Sequence, residues 1–231
     1  MQLKSFGCSF IFGSDLSDAS AVPGDPVIPS QNTWPAHLAR HLGYSYNCYA
    51  RPGSGNLQIV ESILNQAANS SATDLFVIGW TWIDRFDYID VNNEWFGATP
   101  WSTIMPTDNT TAAKVYYRDL HSEYRDKFTN LSYVKLAIDT LNQKGIPFIM
   151  TWQDSLLFDQ HWHITPAVTH LQEYIQPYVT AFDEQTFLDW SRSNGFPESC
   201  TWHPLETAHR AAGDYMIKQF NEKYHVNDHG H

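Results

Sequence analysis

The chain is short of cysteine and of positive charge. Its three cysteines are Cys8, Cys48 and Cys200. An odd, sparse set is no disulfide framework and fits a reducing compartment. Fourteen Lys and Arg stand against twenty-five Asp and Glu, a formal charge of −11. No basic cluster exists to displace counterions from a phosphate backbone or to dock on an anionic bilayer, so neither nucleic acid nor a membrane surface is expected as a partner. No apolar run reaches the ~18 residues of a membrane span. The opening MQLKSFGCSF lacks the apolar stretch of a signal peptide. This predicts cytoplasmic synthesis without a classical export signal and leaves the final location open. No internal repeat and no low-complexity linker divides the sequence. Residues 1–231 are therefore read as one domain, long enough to fold without a disulfide or metal staple.

Aromatic residues are plentiful, with nine Trp. Two uses fit them: a Trp-rich core, and the lining of a site for sugars or other flat, weakly apolar ligands.

Short β-rich runs alternate with helical ones. Leu3–Phe6 reads as a first strand leading into Gly7. Thr33 caps a helix that runs to Leu42 and stops at Gly43, and Tyr44–Ala50 is a second strand. Leu57, Val60, Leu64 and Ala67 recur at helical spacing, predicting a helix that starts near Ser54. Asp74–Trp80 has the continuous apolar character of a buried parallel strand. The aromatic stretch 84–111 reads as an irregular insertion or lid. A stripe from Tyr117 to Leu141 predicts one long helix ending at Gly145, followed by a strand over Ile146–Trp152. A helix over Pro166–Val179, a short run at Thr186–Leu188 and a last helix over Leu205–Tyr224 complete the pattern. Residues 225–231 are a His-rich tail without assigned function.

Strand and helix in alternation imply parallel pairing with right-handed crossovers. The expected fold is a three-layer α/β/α sandwich with a mainly parallel, flavodoxin-like sheet. Ligands in such sheets sit at the carboxyl ends of the strands, so the loops after Phe6, Ala50, Trp80 and Trp152 are the places to look.

Chemistry-bearing residues fall in those loops. Ser9, in Gly7-Cys8-Ser9-Phe10, follows the first strand. Gly53, in Arg51–Asn56, precedes a helix start where backbone N–H groups can approach an anion. Gly79-Trp80-Thr81-Trp82 follows the third strand, with Arg85 beyond. Near the C-terminal side, Cys200-Thr201-Trp202-His203-Pro204 precedes the last helix.

In order and placement these four blocks resemble the SGNH/GDSL hydrolase superfamily, whose pattern is Gly-Asp-Ser, a Gly block, Gly-x-Asn-Asp and Asp-x-x-His-Pro. Each motif is short, and the match rests on their joint order over nearly the whole chain. With its GCSF and GWT blocks the chain also looks like proteins of marine phage genomes. The resemblance implies that Ser9 is a nucleophile and His203 its base. It implies oxyanion donors in the N–H groups of Ser9 and Gly53, with a third from Thr81 or Asn56 in place of the missing family Asn. Cys8 replaces the first-block Asp and Cys200 replaces the Asp that would orient His203. The orienting group is then Glu198, Asp189, Cys200 itself or a main-chain carbonyl.

Trp80, Trp82, Arg85 and Trp95 are expected to form a substrate wall, since aromatic faces interleaved with acids and one Arg suit a sugar better than a long acyl chain. The implied function is a serine esterase that cleaves an ester of a polar substrate, such as an O-acetylated carbohydrate, through an acyl-enzyme. The alternative is a weak or inactive relative that binds glycan or serves as a structural part of a phage particle, with assembly partners in the virion. No cofactor and no metal is expected. Asp159, His161, His163 and His170 read as solvated loop residues. A zinc or cysteine-nucleophile site from Cys8, Cys200 and His203 is disfavoured because Cys8 and Ser9 face opposite sides of the chain.

Overall fold

The computed structural model describes residues 1–20, 27–89 and 101–225. The first strand, β1 (Gln2–Gly7), runs into a four-residue helix, α1 (Ser9–Phe12). After α2 (Trp34–Leu42) and β2 (Ser45–Cys48) come α3 (Asn56–Ala68) and β3 (Leu75–Trp80). The stretch read as irregular holds an antiparallel hairpin, β4 (Phe86–Ile89) with β5 (Trp101–Ile104). Then follow α4 (Thr111–Val115), α5 (Glu123–Lys144), β6 (Phe148–Trp152), α6 (Pro166–Ile175), α7 (Phe187–Ser193) and α8 (Glu206–His225).

The main sheet has the order β2-β1-β3-β6, all parallel. Strand side chains alternate between faces, and the core divides accordingly. Phe6, Phe76, Ile78 and Trp80 pack with α3, α5 and α6, whereas Leu3, Leu75 and Val77 pack with α1, α2 and α8. Each fully buried Leu, Ile or Phe in these layers contributes roughly 1.5–3 kcal/mol against exposure. The result is a three-layer α/β/α arrangement with the sheet buried on both faces.

One expectation about the helices is corrected, and the short run Thr186–Leu188 takes a definite form. The long helical stripe breaks: a π-helical turn over Tyr116–Leu120 ends at His121, which is extended, and Ser122 accepts the Arg125 N–H to cap α5 anew. The run Thr186–Leu188 opens α7, because the Thr186 side chain accepts the Asp189 N–H and caps a helix.

One close approach sets the place of α1. Gly7 and Gly79 are register partners on neighbouring strands. A Cβ on either would lie 2.6 Å from Ile11 Cγ1. The two glycines make a notch into which Ile11 sinks, so that α1 lies down on the strand ends.

Candidate active site

Ser9 is the first residue of α1 and is almost wholly buried. Its N–H belongs to the first helical turn, which has no intrahelical acceptor. Its neighbours are sorted by side: Cys8 packs into the core between sheet and α2/α8, while Ser9 lines a cavity of about 440 Å³. His203 and Gly53 line the same cavity, as do Trp82 and Arg85. Four segments from distant parts of the sequence thus converge at the carboxyl edge of the sheet.

Gly53 sits in a β-turn closed by Ser54 N–H to Arg51 O at 3.3 Å. Pro52 and Gly53 are its corners, and Gly53 has φ +81°, the combination typical of a type II turn. The turn bond uses the N–H of Ser54 and not that of Gly53. The following helix is held from the hairpin: the Asp87 carboxylate accepts the N–H groups of Gly55 (2.9 Å) and Gln58 (3.0 Å).

His203 lies in a tightly folded loop. Ser199 N–H donates to His203 O at 2.9 Å, and the two flanks of the loop pair antiparallel at Glu198 and Pro204. Trp202, just before the histidine, has φ +68°, a conformation bulky residues rarely adopt. The imidazole is fixed by two residues of the Ser9 segment. Phe10 packs against its ring, centroids 5.1 Å apart. The Asp15 carboxylate meets Nδ1 at 2.7 Å. A carboxylate accepts and does not donate, which assigns the proton to Nδ1 and leaves Nε2 as the basic nitrogen. Asp15 Oδ2 also accepts from Ser199 Oγ at 2.7 Å and from Thr201 Oγ1. Partial burial would raise the Asp15 carboxyl, but the bonds from Thr201, Ser199 and His203 outweigh it and hold it below the ordinary carboxylate range.

Of the groups anticipated as orienters of His203, both carboxylates are engaged elsewhere. Glu198 forms a two-pronged pair with Arg192, at 2.8 and 3.1 Å. Asp189 accepts the Thr186 hydroxyl at the start of α7. Cys200 is exposed and unoxidised.

Thr81 and Asn56 lie together away from the cavity. Asn56 Nδ2 donates to Thr81 O (3.1 Å) and to Asn130 Oδ1 (2.7 Å), and Asn56 Oδ1 accepts the Thr81 N–H (2.8 Å). Both amide hydrogens are therefore committed to the interior, and the buried Thr81 Oγ1 meets no partner among the described residues. Trp80 points into the core on the α3/α5 face, its Nε1–H toward Met150 Sδ. Strand alternation puts it there, so it is no part of the wall. Trp82 and Arg85 do line the cavity, with the guanidinium 4.9 Å above the indole. Trp95 lies outside the described residues. Arg192 and Trp202, which sequence reasoning missed, close the other side, again with the guanidinium stacked on the indole at 5.4 Å.

Elsewhere His163 pairs with Glu123, and the Asp159 carboxylate accepts the N–H groups of His161 and Trp162. Among the described residues no three His, Cys, Asp or Glu side chains converge to hold a metal, and no helix is long and apolar enough to cross a membrane.

Comparison with protein-family models and with curated proteins finds no match. Comparison with solved structures does. A lipolytic protein of the G-D-S-L family from Veillonella parvula DSM 2008 superimposes with TM-score 0.53 at 15% identity, over 96% of this chain and 98% of its own. The psychrotrophic esterase EstA from Pseudoalteromonas sp. gives 0.51 at 10% identity, over 98% and 99%. The chain has the SGNH/GDSL hydrolase fold. The acetyl xylan esterase Est2A from Butyrivibrio proteoclasticus shares this fold at TM-score 0.54 and 14% identity, and there 98% of this chain covers 64% of the other. On this fold, Ser9 stands at the end of β1 and His203 just before the last described helix, α8.

Proposed function

We propose that the chain is a serine esterase. The observation that carries this reading is the convergence of Ser9 and His203 on one cavity at the carboxyl edge of the sheet. His203 Nε2 accepts the Ser9 proton as Oγ attacks the ester carbonyl carbon. The oxyanion that forms takes hydrogen bonds from the N–H groups of Ser9 and Gly53. Collapse breaks the ester C–O bond. The alkoxide leaves with the proton from His203, and Ser9 keeps the acyl group. Water then attacks the acyl-enzyme, His203 taking its proton, and releases the acid.

The substrate is an ester of a polar alcohol, with an O-acetylated carbohydrate the best match to the walls. Two indoles face the cavity, each carrying an arginine on one ring face. Such walls offer flat apolar patches for a sugar ring and donors for its hydroxyls. The acetyl xylan esterase among the structural neighbours supports this choice.

The test is turnover of a chromogenic acetate ester and of acetylated oligosaccharides, run beside Ser9→Ala and His203→Ala. Both variants should fall by up to about 10⁶-fold in kcat, as for members of a catalytic unit. A serine-directed phosphonate should label the wild type at Ser9. Undiminished turnover in Ser9→Ala would overturn the reading. A folded wild type without turnover or labelling would favour the glycan-binding or structural alternative.

A further inference from the structure

We propose that Asp15 is the positioning carboxylate of this site, the group that holds His203 in its working tautomer. The inference rests on the esterase reading and deepens it. In the family pattern the acid lies three residues before the histidine. Here that position is Cys200, an exposed thiol. The site has recruited its acid from the opposite end of the described chain, from the turn that follows α1.

Four observations carry the assignment. The Asp15 carboxylate approaches His203 Nδ1 at 2.7 Å, the ordinary length of a charge-assisted bond. The carboxylate is itself fixed, since Ser199 and Thr201, on the histidine's own loop, both donate to the same oxygen. Asp15 holds φ +70°, so the chain maintains an uncommon backbone conformation at the residue that makes this contact. A second, independent brace ties the same two segments: Ser17 N–H donates to Glu206 Oε1 at 2.8 Å, where α8 begins. The rival acids have other partners, Glu198 with Arg192 and Asp189 with Thr186.

The role follows from proton bookkeeping. With Asp15 ionised, the Nδ1 proton has an acceptor and Nε2 is bare, ready for the Ser9 proton. The imidazolium formed in the reaction then faces a negative charge 2.7 Å away. With an amide in place of the carboxylate, an N–H donor faces Nδ1, the imidazole proton shifts to Nε2, and the base is blocked. Thr201 and Ser199 do not replace the acid. They aim it.

The test is Asp15→Asn, with Asp15→Ala as a second variant and Asp189→Asn and Cys200→Ala as controls. Expected is a loss in kcat of about 10³–10⁴ for Asp15→Asn, the scale seen when a triad acid is converted to its amide, with KM nearly unchanged. Added formate should restore part of the Asp15→Ala activity by filling the space of the lost carboxylate. The far-downfield proton resonance of an Nδ1–H bonded to a carboxylate should be present in the wild type, absent in His203→Ala and lost in Asp15→Asn. Both controls should stay within about twofold of wild-type kcat, well inside the tenfold that corresponds to 1.4 kcal/mol. The assignment is overturned if wild type works through Ser9 and His203 while folded Asp15→Asn keeps its kcat, or if the resonance survives the substitution. If the wild type neither turns over esters nor takes a phosphonate at Ser9, the esterase reading itself falls and the catalytic role of Asp15 with it. Melting curves and the resonance separate misfolding from loss of the acid.

Discussion

Ile11, two residues beyond the candidate nucleophile, occupies space that any side chain on Gly79 would need: a Cβ there would lie 2.6 Å from Ile11 Cγ1. Gly79 is on β3, so the position of α1 is dictated by a neighbouring strand and not by β1 alone. Gly79→Ala should lift α1 from the sheet and destabilise the fold by about 1–3 kcal/mol, as overpacking in a full core does. Because Ser9 begins the same helix, kcat should drop as well. Removing the wedge in Gly79→Ala/Ile11→Ala, which takes away Cγ1, should give a loss smaller than the sum of the two single losses in a urea titration. Additive losses in the double variant would contradict the notch.

Thr81 and Asn56 should behave as structural residues with opposite signs. Asn56→Ala strands the Thr81 N–H and C=O and the Asn130 Oδ1 in the interior. A cost of about 1–3 kcal/mol is expected for each polar group left without a partner. Thr81→Val removes a buried hydroxyl that has no partner among the described residues. Its melting temperature should hold or rise by a few degrees, about 2–4 °C per kcal/mol in a chain of this size. A large fall in kcat with unchanged KM in Thr81→Val would return that hydroxyl to the oxyanion site.

Trp202 is 66% exposed at the rim of the cavity. If it stacks on a sugar, Trp202→Ala should raise KM for acetylated oligosaccharides by about 2- to 10-fold, the worth of 0.5–1.5 kcal/mol of ring stacking. A small chromogenic acetate, too short to reach the indole, should be turned over with its KM unchanged. Equal losses on both substrates would count against a sugar platform.

Stability should weaken in acid for a reason apart from catalysis. His209 is fully buried, its Nδ1 accepts the Trp34 N–H at 3.2 Å, and burial drives its pKa down to about 3. The unfolded chain takes up this proton as pH falls below roughly 6.5, whereas the folded chain refuses it, so unfolding gains by as much as ~1.4 kcal/mol per pH unit. His209→Asn keeps an acceptor for Trp34 without titrating. Urea unfolding between about pH 6 and pH 4 should show a shallower slope in the variant. An unchanged slope would place the acid sensitivity elsewhere.

The sheet was legible because buried parallel strands write themselves as apolar runs: Asp74–Trp80 and Ile146–Trp152 both contain the strands they predicted. Thr33, Gly43 and Gly145 marked helix ends through cap chemistry that is local in sequence. The break before α5 was hidden, since Tyr117 and Leu120 fit the helical period while the backbone winds differently there. Ser9, Gly53 and His203, which line one cavity, could be picked out because each follows a strand or precedes a helix. Asp15 could not. It sits in an irregular turn with no period or motif, and its partners lie on a loop far along the chain. The sorting of Trp80 from Trp82 needed strand phase, which a continuous apolar run does not display. Thr81 and Asn56 looked like donors because their types are right, and only the structure reveals that the Asn56 amide hydrogens are taken and that both residues lie away from the cavity.

The double brace between the Asp15–Ser17 turn and the loop leading into α8 also has a temporal side. A ribosome makes Ser9 and Asp15 well before His203, which comes among the last of the described residues. The early segments hold the nucleophile in a finished notch only after β3 is added, and the imidazole arrives after all four main strands. On the proposed esterase reading, nascent chains that stop short of His203 carry a serine with no base and should be inert toward esters.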